Sequence, residues 1–191
     1  MKRKGFINLF QAGICALLLL WSSPVFCFFG FGGVEKIPHA AFTIPAPDSE
    51  QLQKYLGLKT MGPFKVSDIE AKLLVIEFMS AVCPHCLSNA PTMNSIYKRI
   101  QAEPDLADVK VIAIASYNGR AELEAYKKKF NPPFPVFYDE GSRIFAYMDG
   151  PDTPTIMIVS TEDCKVLYSH TGLIWIQDTI LKQLKALHKK K

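Results

Sequence analysis

The sequence is poor in cysteine and in net charge. It has five cysteines among 191 residues and a net charge of only +4. Basic runs occupy positions 2–4 and 189–191, and the remainder carries no basic footprint for nucleic acid. We find no internal repeat and no low-complexity segment. Since 49% of the residues are hydrophobic, a chain of this length can form one domain with a buried core in addition to a targeting segment, without disulfide stapling.

Acidic residues are absent before Glu35, and this absence sets the N-terminal segment apart. The basic residues 2–4 precede a leucine-rich apolar run, which is typical of an export signal. The uncharged stretch 5–34 is long enough to cross a bilayer, since about 20 residues suffice, although Pro24 interrupts it. We expect a leader cleaved after Cys27, with a retained membrane anchor or a lipoprotein acylated at Cys27 as alternatives. Each of them places the domain in the periplasm or elsewhere outside the cytoplasm, with membrane contact only through an uncleaved leader.

Only three cysteines follow the leader region: Cys83, Cys86 and Cys164. An odd number with one close pair is not the pattern of a disulfide scaffold. The pattern predicts a redox-active pair, Cys83 and Cys86. We interpret Cys164, in a predicted turn, as a thiol without a mechanistic role.

Hydrophobic patterning predicts a mixed α/β domain. Continuous apolar runs with β-branched residues are typical of strands buried on both faces, and apolar residues every three or four positions are typical of helices. The predicted strands span 72–78, 109–115, 136–138, 155–159 and 165–170, and the predicted helices span 49–56, 87–100, 120–130, 142–147 and 174–187. The order βαβαβ followed by ββα predicts a mixed sheet covered by helices on both faces.

The close cysteine pair forms the motif Cys83-Pro84-His85-Cys86 between a predicted strand and a predicted helix. The N-terminus of a helix stabilises a thiolate, and Pro84 suits the first helical turn because it has no N–H. The motif predicts that Cys83 is the exposed attacking thiolate and Cys86 the more buried resolving thiol. An imidazole at His85 that is cationic or donates a hydrogen bond would stabilise the Cys83 thiolate and make the disulfide a better oxidant.

Other uses of this pair stay open on the residues alone. Half of a zinc site, completed by Cys164 and by His85 or His170, is one alternative, although one Cys-x-x-Cys without a second close ligand pair is a poor zinc signature. A protein that carries a soft ion such as Cu(I) on Cys83, Cys86 and His85 is a second. A thiol peroxidase is a third, against which the short distance in sequence between the two cysteines argues.

The stretch 75–86, Val-Ile-Glu-Phe-Met-Ser-Ala-Val-Cys-Pro-His-Cys, resembles the active-site segment of the thioredoxin superfamily. Pro91 falls where thioredoxins kink the active-site helix, and residues 152–155 resemble their cis-proline loop. The likeness covers about residues 60–187. The separation of Cys86 from Pro154 is similar to that of exported TlpA/ResA-like reductases, whereas the Cys-Pro-His-Cys motif looks more like that of DsbA oxidases.

The resemblance implies roles for residues outside the cysteine motif. Pro154 would follow a cis peptide bond and present the backbone of Thr153 for strand-like pairing with a substrate. Glu77 interrupts an apolar strand six residues before Cys83, and a buried carboxylate with a raised pKa would suit proton transfer to and from Cys86. The alternative is that Glu77 ends its strand and reaches solvent.

Three positions depart from the patterns of related proteins. Met79 and Val82 stand where thioredoxins carry aromatic residues, often tryptophan. Asn89 stands where ResA-like proteins have a glutamate, so the acid–base role of that glutamate is not carried over to this chain.

Together these observations predict a thioredoxin-like α/β fold, with a mixed central sheet flanked by helices and an N-terminal extension. The expected parts are a signal peptide or anchor (1–33), the extension (34–63) and the thioredoxin-like domain (64–191). We expect an extracytoplasmic thiol–disulfide oxidoreductase without cofactor or metal. Its partners would be protein thiols and disulfides and a membrane or periplasmic redox partner. The reductase direction is slightly favoured, with a DsbA-like oxidase or a metal chaperone of thioredoxin fold as alternatives.

Overall fold

The structure is a computed structural model that describes residues 42–190. The predicted leader, its cleavage at Cys27 and the first part of the predicted extension lie outside the described residues. Among the helices of residues 42–190, none combines the length and the apolar character needed to cross a lipid bilayer.

The described residues form one five-stranded sheet and five α-helices. The strands are Leu73–Met79 (β1), Val109–Ala115 (β2), Val136–Tyr138 (β3), Thr155–Ser160 (β4) and Val166–Thr171 (β5). The helices are Glu50–Leu56 (α1), Pro84–Ala102 (α2), Arg120–Phe130 (α3), Arg143–Tyr147 (α4) and Gln177–Lys190 (α5). Short 3-10 turns lie at Val66–Asp68, Pro104–Leu106 and Glu140–Ser142. This order of elements confirms the predicted fold class.

The strands are arranged in the order β3-β2-β1-β4-β5. β1 pairs in parallel with β2, and β2 in parallel with β3, whereas β4 runs antiparallel to both β1 and β5. Every residue of the central strand β1 is buried, which is why its sequence is a nearly continuous apolar run. The carboxyl end of β1 leads directly towards the cysteine motif.

The sheet separates two hydrophobic clusters. Successive side chains of a strand point to opposite faces, so odd-numbered residues of β1 pack with α2, α3 and α5, and even-numbered ones with α1 and α4. We call these sides the α2 face and the α1 face. Glu77 is odd-numbered and therefore belongs to the α2 face.

The segment before β1 is ordered by backbone hydrogen bonds and a helix cap. Ile44 and Phe64 form an antiparallel bridge with two backbone hydrogen bonds of 2.8 and 3.0 Å. Ser49 caps α1 by accepting a hydrogen bond from Leu52 N–H, and Gly57 ends the helix with a φ of 68°, a left-handed conformation that glycine adopts readily. The predicted helix in this segment is thus confirmed.

The predicted start of the last helix is wrong by three residues. Apolar spacing placed it at Ile174, but α5 begins at Gln177. The backbone N–H of Ile174 is bonded to the Asn89 side chain instead, and Trp175 and Ile176 are exposed.

Candidate active site

The cysteine motif lies where β1 gives way to α2. Cys83 is the N-cap residue of α2 and has extended backbone angles, while Pro84 occupies the first helical turn, where its missing N–H leaves no hydrogen bond unmade. Both cysteines are thiols in this structure. Cys83 is half-buried, whereas Cys86, one helical turn further on, is only 1% exposed.

The surroundings of Cys83 favour its ionised form. Burial pushes its pKa up, but hydrogen bonds with Thr153, with the Cys86 backbone and side chain and with the His85 backbone outweigh this, so the pKa lies below the ordinary thiol value. The Cys83 Sγ also lies 3.5 Å from the carbonyl oxygen of Thr153. A thiol with a lowered pKa and partial exposure is the nucleophile that disulfide exchange requires.

The surroundings of Cys86, in contrast, favour its protonated form. Burial raises the pKa of its thiol to about 12, against the lowering effect of the Ser80 N–H, which donates to Cys86 Sγ over 3.4 Å. Near neutral pH this thiol therefore keeps its proton until a base removes it.

Glu77 is buried on the α2 face, with 1% of its surface exposed. Burial raises the pKa of its carboxyl group to about 7, although a hydrogen bond from Asn89 lowers it in part. Glu77 Oε1 accepts that bond from Asn89 Nδ2 over 3.2 Å, while Oε2 has no hydrogen-bond partner in the part of the chain that the structure describes. Glu77 does not reach solvent at a strand end.

Asn89 was seen in the sequence only as a departure from related proteins. In the structure it is buried on α2 and joins Glu77 to the backbone N–H of Ile174, which donates to Asn89 Oδ1 over 3.3 Å. Its position three residues after Cys86 places it on the same side of the helix, beside Ala90 and Met93. A polar residue within that apolar stripe was the signal that could have identified it.

The loop before β4 lies against Cys83. The peptide bond between Thr153 and Pro154 is cis, as the resemblance implied. Gly172 N–H donates to the Pro154 carbonyl over 2.8 Å, so the loop is tied to the segment that follows β5. The Thr153 carbonyl is the part of this loop that lies close to Cys83 Sγ, and the role of Thr153 and Pro154 in substrate binding stays a prediction.

The side chain of His85 is exposed. What the structure adds is a contribution from its backbone, whose hydrogen bond favours the Cys83 thiolate. The effect of the imidazole on the redox pair stays a prediction.

Exposed apolar side chains surround the elements of the site. Val82 directly precedes Cys83, and Trp175 and Ile176 follow the segment bonded to the cis-proline loop and to Asn89; Trp175 is 85% exposed.

Cys164 lies away from the cysteine pair. It belongs to the cluster on the α1 face, whereas Cys86 belongs to the α2 face. His170 lies near the Leu173 carbonyl, with 3.2 Å between its Nε2 and that oxygen. Within residues 42–190, no three histidine, cysteine, aspartate or glutamate side chains are grouped so that they could hold a metal ion. The proposed use of Cys164 as a third zinc ligand therefore conflicts with the sheet that lies between the two cysteines.

The sequence of this chain is similar to those of known thiol-disulfide oxidoreductases. It is 26% identical over 109 residues to the thiol-disulfide oxidoreductase ResA of Bacillus cereus, a match that covers 56% of this chain and 60% of that protein. The chain thus spans less than two thirds of the length of this curated relative.

Solved structures share the fold at low sequence identity. A secreted Mycobacterium tuberculosis disulfide oxidoreductase homologous to E. coli DsbE superposes with a TM-score of 0.57 at 18% identity, over 76% of this chain and 96% of that one. A thioredoxin-like protein from Aeropyrum pernix superposes with a TM-score of 0.55 at 16% identity, over 77% and 89%. The profile of the AhpC/TSA family matches residues 43–168, more than half of the chain. The chain has a thioredoxin-like fold and belongs to the AhpC/TSA family.

Proposed function

We propose that this protein is an extracytoplasmic thiol–disulfide oxidoreductase that exchanges the Cys83–Cys86 dithiol or disulfide with protein substrates. The observation that carries the proposal is the asymmetry of the pair. Cys83 is half-buried at the N-terminus of α2 with a lowered pKa, and Cys86 is buried with a raised one. The similarity to ResA, described as a thiol-disulfide oxidoreductase, supports the same activity.

In the reductase direction the Cys83 thiolate attacks one sulfur of a substrate disulfide. The substrate S–S bond breaks, a mixed disulfide with Cys83 forms, and the departing sulfur takes up a proton. Glu77 then accepts the proton of Cys86, whose sulfur attacks Cys83 Sγ. This forms the Cys83–Cys86 disulfide and releases the second substrate sulfur as a thiolate. Two electrons have passed from the protein to the substrate.

A redox partner in the periplasm or the membrane then has to restore the dithiol. Thr153 and Pro154 would hold the substrate backbone beside Cys83 during the exchange, since the Thr153 carbonyl lies 3.5 Å from the attacking sulfur. The separation of Cys86 from Pro154, which is similar to that of TlpA/ResA-like reductases, slightly favours the reductase direction, and the Pro84-His85 dipeptide favours the oxidase. About 30 mV of potential, equivalent to about 1.4 kcal/mol, is enough to alter this balance.

The site of action outside the cytoplasm is supported by the leader pattern of residues 1–34 and by the secreted M. tuberculosis neighbour. Cell fractionation, together with digestion by a protease added to spheroplasts, tests it. Full protection of the protein in intact spheroplasts would contradict this part of the proposal.

The direct test is insulin-disulfide reduction by the purified protein with dithiothreitol, together with a glutathione redox titration of the pair. We expect measurable reduction that is lost in the double variant Cys83→Ser/Cys86→Ser, and a single two-electron transition in the titration. Consumption of hydrogen peroxide without any disulfide exchange would instead favour the thiol peroxidase alternative and contradict the proposal.

A further inference from the structure

The orientation of the Asn89 side chain is fixed by its neighbours. Ile174 N–H, which can only donate, points at one end of the amide, so that end is the oxygen Oδ1. The other end is therefore the NH2 group, and it faces Glu77 Oε1 at 3.2 Å. Asn89 thus donates to the carboxyl group of Glu77 and cannot accept from it.

This geometry distinguishes the two oxygens of Glu77. Oε1 uses a lone pair to accept the Asn89 hydrogen bond, and a carboxylic proton on that oxygen would compete with the bond. Oε2 has no partner among the described residues. The Asn89 bond therefore favours Oε2 over Oε1 as the oxygen that carries a proton.

We propose that Asn89 is a positioning residue for proton transfer, which holds Glu77 so that Oε2 is the oxygen that takes the proton of Cys86 and returns it. This inference rests on the proposed function and specifies how its proton-transfer step is set up. In the resolving step the Cys86 S–H bond breaks, the proton passes to Oε2 directly or through one water molecule, and the Cys86–Cys83 bond forms. The substrate sulfur leaves with the electron pair of the mixed disulfide.

Few other ionisable groups surround Glu77. Cys86 comes from α2 and Tyr126 from α3, and the residues that pair with Glu77 on β2 and β4 are Ala113 and Ile156. The buried side chains of α5 are all apolar: Ile180, Leu181 and Leu184. Burial first, and then the charges of Glu77 and Cys86, raise the pKa of Tyr126, so this tyrosine stays neutral while Glu77 titrates. The change in the Glu77 titration when Asn89 is replaced therefore reports the contribution of the Asn89 bond.

Hydrogen bonds to a charged group are stronger than those between neutral groups, so the Asn89 bond favours the ionised carboxylate. Without it, Glu77 would hold its proton to higher pH and would be a poorer acceptor for the Cys86 proton at neutral pH. Asn89 also ties Glu77 to Ile174, next to the exposed Trp175.

The test compares Asn89→Leu with a matched control, Asn94→Leu. Asn94 lies on the same helix and also donates a side-chain hydrogen bond, to the Phe130 carbonyl at 2.8 Å, away from the cysteines. Two quantities are followed against pH. One is the infrared carbonyl band of the protonated Glu77 carboxyl group, assigned with Glu77→Gln. The other is the rate at which Cys86 resolves the glutathione mixed disulfide on Cys83.

We expect Asn89→Leu to move the Glu77 titration up by about one to two units and to move the pH profile of resolution by the same amount. Asn94→Leu should move neither. If Asn89→Leu does not fold, Asn89→Ala removes the donor with a smaller side chain and without adding a charge, and it too should raise the Glu77 titration. An unchanged titration in a folded Asn89 variant would overturn the proposal, and so would a shifted titration with an unchanged resolution profile.

The same measurements distinguish failure of the positioning role of Asn89 from failure of the proposed function. An active parent with an unmoved Glu77 titration in the Asn89 variants refutes the positioning role alone. A parent that resolves no mixed disulfide refutes the exchange activity itself and the positioning role that depends on it.

Discussion

The two faces of the sheet each bury one cysteine, and both cysteines are only 1% exposed. Cys86 lies on the α2 face in the first turn of a helix, and the buried carboxyl group of Glu77 belongs to the same face. Cys164 lies on the α1 face in the turn after β4, among side chains of α1 and α4 that include Leu56 and Phe145. Equal burial therefore accompanies very different chemistry. The proposed redox role of Cys86 therefore rests on its place in the Cys-x-x-Cys motif and on the face that it shares with Glu77, and not on its burial.

The largest expected effect comes from removing one member of the redox pair. Cys86→Ser should accumulate mixed disulfides through Cys83, because the attack that resolves them is lost, whereas Cys83→Ser should accumulate none, since its remaining thiol is buried. Non-reducing pull-downs from cells expressing each variant measure this difference. Equal trapping by both variants, or none by either, would contradict the assigned roles.

Replacing the buried acid Glu77 should slow the resolution of the mixed disulfide without abolishing it, a smaller effect than the loss of Cys86. Glu77→Gln keeps the acceptor for Asn89 but removes proton transfer, a contribution that is typically about 100-fold or more. Stopped-flow measurement of mixed-disulfide resolution at pH 7 gives the rate. A variant that resolves as fast as the parent would show that Glu77 is not the base.

The same substitution should change how stability depends on pH. The Glu77 pKa is raised from 4.5 to about 7, so folding favours the protonated form, and the parent loses stability as pH rises through this window. The unfolding free energy of the parent, relative to Glu77→Gln, should fall by about 3 kcal/mol between pH 4.5 and 7 and then level off. Urea unfolding at a series of pH values tests this, and parallel curves would contradict the raised pKa.

A smaller effect, on the redox potential of the cysteine pair, is expected from replacing His85. His85→Pro removes both the imidazole and the backbone N–H that favours the Cys83 thiolate, so the Cys83 pKa should rise. One pKa unit corresponds to about 1.4 kcal/mol, and the potential should fall by about 30 mV, making the protein more reducing. His85→Ala keeps the backbone N–H and separates the two contributions. A glutathione titration that finds His85→Pro equally or more oxidising would exclude His85 from tuning the pair.

The smallest effect is expected on the α1 face. Cys164→Ser should keep insulin-reduction activity near that of the parent, because the sheet separates this residue from the cysteine pair. Loss of activity in a variant whose circular dichroism is unchanged would show a functional link between the two faces and would return attention to metal binding.

Sequence analysis predicted correctly those secondary-structure elements whose bounds follow from a local residue pattern. β2 and α3 have the predicted bounds, because β2 is a nearly continuous apolar run and α3 has buried apolar residues three positions apart between exposed charged ones. The cysteine motif and Glu77 were likewise visible within one short segment. Their catalytic roles remain predictions.

The features that sequence analysis missed, the role of Asn89 and the start of α5, involve residues that are distant in sequence. The bond between Asn89 and Ile174 joins residues 85 positions apart, and it fixes the side chain that holds Glu77. Apolar spacing at 174–176 gave no sign of it, because Trp175 and Ile176 look like a helical stripe although they are exposed. The local pattern could single out Asn89 as a polar residue within an apolar stripe, but it could not identify Ile174 as its partner.

The hydroxyl group of Tyr55 has a consequence for aggregation. β3 pairs only with residues 113–115 of β2, and beyond that point Tyr55 OH accepts from Val111 N–H at 2.8 Å and lies 3.4 Å from the Val111 carbonyl. One side chain thus occupies the backbone groups that a neighbouring strand would otherwise use. An open strand edge is a template for pairing with another molecule. Helix α1, which carries Tyr55, therefore covers part of the stretch of β2 that β3 leaves unpaired, and a second copy cannot pair with β2 there.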